Sequence, residues 1–498
     1  MKKINLIGFS FNIKYVFLFL LYLYLSNKDL AHILFVDIGH NSKFKLMVFF
    51  CATVLSFIFI YFLFQIKNLK LRLIICLPLV LSSFISETFY DISGNTINID
   101  DIEIAILNTE SWLDFAFEFK DNILPNAIIL ILGTAIIFYP YNSRFLVKKK
   151  FNQILLIFGL LFFLSSTIIS FKRGGYGLQG FPSQLKVLIP FPLLLLSENL
   201  SKIDFELLQS KKNRDNVILI IDESVSYDFF VKAKNLADFD NSLFKEVRKF
   251  YSIHNCSAQS VFSLINGLKF EQDDFFLREN LWSVAKRGGY KTVYLSAQEK
   301  ANKYQYLQKP YELMKIDEKY FFGNIDNVNR DKEILKKLLT LIKEDSSQFI
   351  VVIKNGSHYP YKSKFEYKKY NLAQDDENEL FYLYSIKENS VNFLKKLFLN
   401  ANPTDRFFYI SDHGQNLVKD EITHCNSSNP RVKEWEIPIL LHNIHNDIAN
   451  SIKTNFLLYD AILKVFGYEN SVEENRKKIL LYGSISKRFG KKIKYKRY

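Results

Sequence analysis

The chain has 498 residues and a net charge of +14, enough length for more than one domain. Its basic residues are dispersed rather than clustered, which argues against nucleic acid and suits work beside anionic lipid headgroups. Hydrophobic residues make up 49% of the chain, 48 of them Phe; they crowd the part before about Leu200, whereas charged residues spread evenly from about Ser201.

Five apolar runs approach the roughly 20 residues that span a bilayer as a helix: Ile4–Ser26, Leu46–Ile66, Leu71–Phe89, Ile123–Tyr139 and Ile154–Phe171. The first follows Met-Lys-Lys but no small-x-small cleavage site closes it, so it reads as a retained anchor. Lys67, Lys70 and Arg72 lie between spans two and three, and Arg144, Lys148, Lys149 and Lys150 between spans four and five. The loop between spans three and four is acidic, with Asp91, Asp100, Asp101, Glu103, Glu110, Asp114 and Glu118 among its residues. Basic loops stay cytoplasmic, so five spans would export the C-terminal part.

The expected organisation is a transmembrane domain over 1–175, a connector over 176–209 and a soluble domain over 210–498. Gly and Pro mark the connector, and Pro190 and Pro192 interrupt any straight span, so Leu185–Leu196 is expected along the membrane surface. In the soluble part, strand-like runs at 216–221, 291–296, 348–354, 406–411 and 437–442 are continuously apolar, as in strands covered on both faces. Helical patterns separate them. The fold class is therefore an N-terminal five-helix transmembrane domain plus an α/β domain with a mostly parallel central sheet.

Ligands gather at the carboxyl ends of strands in such sheets. Asp222-Glu223-Ser224 follows the first strand, Gly356-Ser357-His358 the third, and Asp412-His413 the fourth, with His424 a dozen residues on. Carboxylates and imidazoles without thiolates form a donor set for zinc in a catalytic role, or manganese. A nucleophile is offered by "YSIHNCSAQSVFSLINGL" (251–268), where hydroxyls precede an apolar helical pattern; spacing leaves Ser257, Ser260 and Ser263 all open. Cys256 and Cys425 allow one disulfide in the exported part, while Cys51 and Cys76 sit in spans.

These pieces, in this order, resemble the bacterial phosphoethanolamine transferases of the alkaline phosphatase/sulfatase superfamily. "DES" is similar to their "GES" motif, "CSAQSVFSL" to their "CGTxTAxSVPC", "GSHYP" to their "GSHGP" and "SDHGQN" to their "SDHGES". The resemblance implies one zinc ion, with a second in some readings, held by Glu223, Asp412, His413 and the nucleophile. Aligned on Cys256, that nucleophile is Ser260. It further implies that His358 and His424 bind phosphoryl oxygens or move protons. "YKTVYLSAQEK" is similar to a segment lying near the family's substrate, giving Gln298 and Lys300, and "LNTES" resembles a headgroup-binding loop, giving Asn108 and Glu110. The implied donor is phosphatidylethanolamine, the acceptor lipid A or a lipopolysaccharide core, and the location the inner membrane with the catalytic domain in the periplasm. The chain departs from the family at Ser260 for Thr and Gln415 for Glu, and lacks most of its cysteines. A phosphoglycerol transferase of the lipoteichoic-acid-synthase type and a non-enzymatic relative remain as alternatives.

Overall fold

The computed structural model describes, with short interruptions, residues 3–30, 43–105, 112–139, 157–168, 181–191, 201–209, 215–237, 247–298, 310–418 and 421–469. The chain divides into two compact units, chiefly Met1–Asn199 and Leu200–Lys487.

The first unit is helical, with α1 (Ile13–Leu25), α2 (Lys43–Phe64), α3 (Leu69–Ser93) and α4 (Lys120–Phe138). Before α1, Lys3–Leu6 and Phe9–Asn12 form an antiparallel hairpin, so the expected first span is not one helix. Phe9-Ser10-Phe11-Asn12 alternates apolar and polar residues, the period of a strand. Among the described residues two helices are long and apolar enough to cross a membrane, α3 and α4, with shorter apolar stretches at Lys14–Leu25 and Thr53–Phe64. The expected count of five is not confirmed among the described residues: the 13 residues of α1 rise only about 20 Å, and much of Ile154–Phe171 lies outside them.

Part of the expected connector packs inside this unit. Ser183–Lys186 forms a buried helical turn, and Leu185 and Ile189 join a core with Tyr22 and Val80. Polar contacts hold it there: Ser183 Oγ donates to Glu87 Oε1 at 2.6 Å, Ser183 N to Asn27 Oδ1 at 2.9 Å, and Gln184 Nε2 to Ser26 Oγ at 2.7 Å. Those side chains, on α3 and just after α1, give the segment polar partners within the unit.

The second unit is built on a seven-stranded sheet: β1 (Val217–Asp222), β2 (Val247–Tyr251), β3 (Lys291–Ser296), β4 (Glu318–Phe321), β5 (Gln348–Ile353), β6 (Arg406–Ser411) and β7 (Glu436–His442), in the order β4-β3-β5-β1-β6-β7-β2. The five strands from β4 to β6 run parallel; β7 runs antiparallel to both its neighbours, β6 and β2, which makes the sheet mixed rather than all parallel. Successive β1 side chains point to opposite faces. Val217, Leu219 and Ile221 enter one core with α6 (Ser257–Ile265), α7 (Leu281–Arg287) and α11 (Leu457–Val465). Ile218 and Ile220 enter the other with α5 (Tyr227–Leu236), α8 (Arg330–Leu341), α9 (Asn378–Ile386) and α10 (Asn392–Asn400). Both faces are thus covered, which is why β1 is apolar at successive positions from Val217 to Ile221.

Candidate metal centre

β1 and β6 are parallel neighbours in a register that pairs Ser411 with Asp222. Their next residues, Asp412 and Glu223, therefore leave the sheet side by side. Backbone bonds lock the two turns together: Asp412 N donates to Asp222 O at 3.0 Å and Ser224 N to Asp412 Oδ1 at 2.9 Å, while His413 N also reaches Asp412 Oδ1, at 2.7 Å. Gly414 follows because a Cβ there would run into the carbonyl oxygen of Lys433. One donor atom each from Glu223, Asp412 and His413 lies within 4.8 Å of the others, and all three residues are buried.

A hydroxyl completes the group. Ser257 Oγ donates to Glu223 Oε1 at 3.1 Å and lies 3.1 Å from His413 Nε2. His413 Nδ1 is 2.7 Å from Gly414 O; a carbonyl only accepts, so Nδ1 carries the proton and Nε2 presents a lone pair. Ser257 is the first residue of α6, where the leading amides have no partner within the helix. Ser260, one turn on, points its hydroxyl at the backbone carbonyl of His254, 2.9 Å away. Ser263 Oγ meets His254 Nε2 at 3.0 Å. The structure brings Ser257, not Ser260, to the carboxylates.

Two buried carboxylates side by side cannot both ionise cheaply. Burial, then the charge of Glu223, holds the Asp412 carboxyl well above the usual range. Glu223 goes the other way: burial pushes its carboxyl up, but His358, His413 and the Ser257 hydroxyl outweigh it and hold it down. Asp412 Oδ2 is buried without a hydrogen-bond partner. An orphaned carboxylate oxygen facing a second carboxylate and an imidazole lone pair is a cavity of donors that fits a divalent cation, and a three-donor set leaves a position open, as catalytic zinc requires.

Two more imidazoles border the cluster. His424 stacks on His413 with ring centres 4.5 Å apart, and His358 meets His424 edge-on at 5.2 Å. Burial, then the charges of His413 and His358, brings the His424 pKa down to about 2, so its ring stays neutral. His358 is half-buried, its Nδ1 2.6 Å from Tyr359 O. A disulfide forms between Cys256 and Cys425, tying the residue before Ser257 to the residue after His424. Gln415 Nε2 donates to Tyr361 OH at 2.7 Å. Gln298 follows β3 with its backbone N–H donating to Ser296 Oγ at 3.1 Å, and no contact joins it to the cluster among the described residues. Lys300, Asn108 and Glu110 lie outside the described residues.

The profile of the Sulfatase family matches residues 215–462, which lie in the second unit. Among solved structures, the C-terminal periplasmic domain of EptC from Escherichia coli is similar at 16% identity and a TM-score of 0.45, over 58% of this chain and 95% of that one. A further structure of that domain is a complex with zinc, matched at 16% identity and a TM-score of 0.44 over 59% and 92%. Lipooligosaccharide phosphoethanolamine transferase A (EptA) from Neisseria meningitidis, an integral membrane protein, is similar at 14% identity and a TM-score of 0.42, over 92% of this chain and 96% of that one. No curated protein sequence matches the chain.

The serine was the residue that sequence reasoning placed differently, and a signal for it was available. The "TAxSV" end of the motif matches Ser257-Ala258-Gln259-Ser260-Val261 without a gap and sets Ser257 opposite the motif's first Thr of that end, whereas anchoring on Cys256 sets Ser260 there. Cys256 is engaged in a disulfide with a residue 169 positions away, so it is a poor anchor for a local motif.

Proposed function

We propose that the chain is a membrane-anchored, zinc-dependent phosphoethanolamine transferase with Ser257 as its nucleophile. It would take the group from phosphatidylethanolamine and pass it to lipid A or a lipopolysaccharide core at the periplasmic face of the inner membrane. The observation that carries this reading is Ser257 Oγ at 3.1 Å from both Glu223 Oε1 and His413 Nε2, in a domain that the Sulfatase profile matches. The four motifs that resemble those of the phosphoethanolamine transferases support phosphoethanolamine as the group transferred.

Glu223, Asp412 and His413 would hold the zinc ion, and the imidazole among the donors favours zinc over manganese. Bound there, zinc supplies a Lewis acid that lowers the pKa of a neighbouring hydroxyl. Ser257 gives up its proton as its oxygen bonds to phosphorus, and the bond from phosphorus to the diacylglycerol oxygen breaks, with that oxygen taking a proton. The amides opening α6 face the charge that gathers on the phosphoryl oxygens. His424, kept neutral, offers a ring N–H to those oxygens, and the more solvated His358 moves protons to and from the leaving and entering oxygens. In the second half the acceptor's oxygen displaces Ser257, which recovers its proton.

The test is donor cleavage without acceptor. Full-length protein in detergent, given phosphatidylethanolamine labelled in the headgroup, should release diacylglycerol and carry the label on the peptide containing Ser257. Label on that peptide from phosphatidylglycerol instead would reassign the protein as a phosphoglycerol transferase. No adduct from either lipid would remove the covalent mechanism.

A further inference from the structure

Lys354 follows β5 and is completely buried, as is Asp222 at the end of β1. Neither has a part in the chemistry above. Lys354 Nζ donates to Asp222 Oδ2 at 2.9 Å and to the backbone carbonyl of Asn389, and lies 3.7 Å from Asp331 Oδ2. An ammonium in so dry a place is costly unless its partners are fixed around it.

Those partners lead to the metal centre by two routes. Asp222 Oδ1 accepts from Glu223 N at 3.1 Å, so the paired carboxylate sets the backbone from which Glu223 projects; Tyr409 OH braces Oδ2 at 2.8 Å. Asp331 accepts from Asn355 N at 2.7 Å and from Gly356 N at 3.1 Å, and Asn389 Nδ2 donates to Gly356 O at 3.1 Å. That turn carries His358. Ser357 N closes the circuit by donating to Glu223 O at 3.0 Å. Gly356 has φ +53°, and a Cβ on it would sit 2.5 Å from Glu223 O and 2.7 Å from Asp222 Oδ1, so the two turns are in van der Waals contact as well.

We infer that Lys354 is a positioning residue: it is the counter-ion that lets this chain bury an aspartate at 222, and through Asp222, Asp331 and Asn389 it sets the turns that present Glu223 and His358. Asp222 places a buried negative charge next to the Glu223 carboxylate, and Lys354 balances it from the end of the neighbouring strand. Without the ammonium, Asp222 would add its charge to a site that already holds Glu223 and Asp412, and the turn before Glu223 would have to move to rehydrate it.

The inference rests on the metal reading of the site, and zinc affinity tests it. Full-length protein in detergent is titrated with zinc against a chromophoric chelator, with the fold checked by circular dichroism. Lys354→Met should weaken zinc binding by about tenfold or more, the scale on which lost partners of metal ligands act. Asp222→Asn combined with Lys354→Met removes both charges at nearly constant shape and should recover affinity to within about threefold of wild type, as expected when a buried pair is neutralised together. Lys354→Arg, which keeps the charge, should fall between. Should Lys354→Met fail to fold, the double variant decides: folded and zinc-binding supports the inference, unfolded or weak-binding overturns it. Wild-type zinc affinity in Lys354→Met, or a double variant no better than the single, would also overturn it while leaving the metal reading intact. A wild-type protein that binds no zinc would end both.

Discussion

Each unit buries a carboxylate among polar side chains, and the two are treated differently. In the helical unit, Glu87 is fully buried and both oxygens are used: Oε1 accepts from Ser183 Oγ and Oε2 from Lys28 N. Nearby, Lys28 Nζ bonds Asp91 Oδ2 and Asn126 Oδ1, and Asn126 Nδ2 returns to Asp91. That network closes on itself and holds helices together. In the α/β unit, Asp412 spends one oxygen on backbone amides and leaves the other buried and without a hydrogen bond, beside Glu223. A closed carboxylate is a structural bond, whereas an open one beside a second carboxylate asks for a cation.

The comparison breaks most sharply at the hydroxyl. Ser257→Ala should abolish the covalent adduct and lower turnover on the order of a thousandfold or more, as removal of a nucleophile does. Ser260→Ala, which removes a hydrogen bond to the carbonyl of His254, should keep near-normal turnover and cost about 1 kcal/mol of stability. Adduct mass mapping on both variants reads the difference, and an adduct that survives in Ser257→Ala would return the role to Ser260.

A second contrast sets the two carboxylates against each other. Asp412→Asn should lower zinc affinity by more than about a hundredfold, beyond what outer partners of ligands cost, with little change in the metal-free fold. Glu87→Gln should leave zinc affinity in place and instead destabilise the helical unit by about 1–3 kcal/mol, because an amide group would face a backbone donor. Titration with zinc and thermal unfolding in detergent separate the two; equal loss of zinc in both variants would show that the distinction is wrong.

The smallest expected effect is on pH dependence. The folded His424 pKa is brought from 6.5 to about 2, first by burial and then by His413 and His358. Below pH 6.5 the unfolded chain takes up a proton that the folded chain refuses, so stability is lost as the pH falls from 6.5 towards 2. The loss is at most about 1.4 kcal/mol per pH unit. Melting of the metal-free protein between pH 7 and 4.5 should fall less steeply in His424→Gln than in wild type; an unchanged slope would place His424 in water.

Much of this architecture was legible because it is local. β1, β3, β5, β6 and β7 are largely apolar runs because the sheet is covered on both faces, and the residue types that follow β1, β5 and β6 marked the candidate ligands. Edge strands were not legible: β2 (VRKFY) and β4 (EKYF) are charged and partly exposed, since an outer strand buries less of itself. The antiparallel direction of β7 was equally hidden, because sequence pattern carries no sign of which way a strand lies beside its neighbour.

At the site the division is the same. Glu223, His358, Asp412, His413 and His424 could be named from strand ends and motifs alone, because each sits in a short stretch whose chemistry is its own. Which serine meets them depends on where α6 begins relative to two strands, and Ser257, Ser260 and Ser263 stand one turn apart on the same short helix. One turn of helix moves a hydroxyl by about 5 Å, the difference between touching Glu223 and touching the carbonyl of His254. The pairing of Cys256 with Cys425, and of Asp222 with Lys354, joins residues 169 and 132 positions apart. Contacts of that reach are decided by the packing of the sheet, which no local pattern encodes.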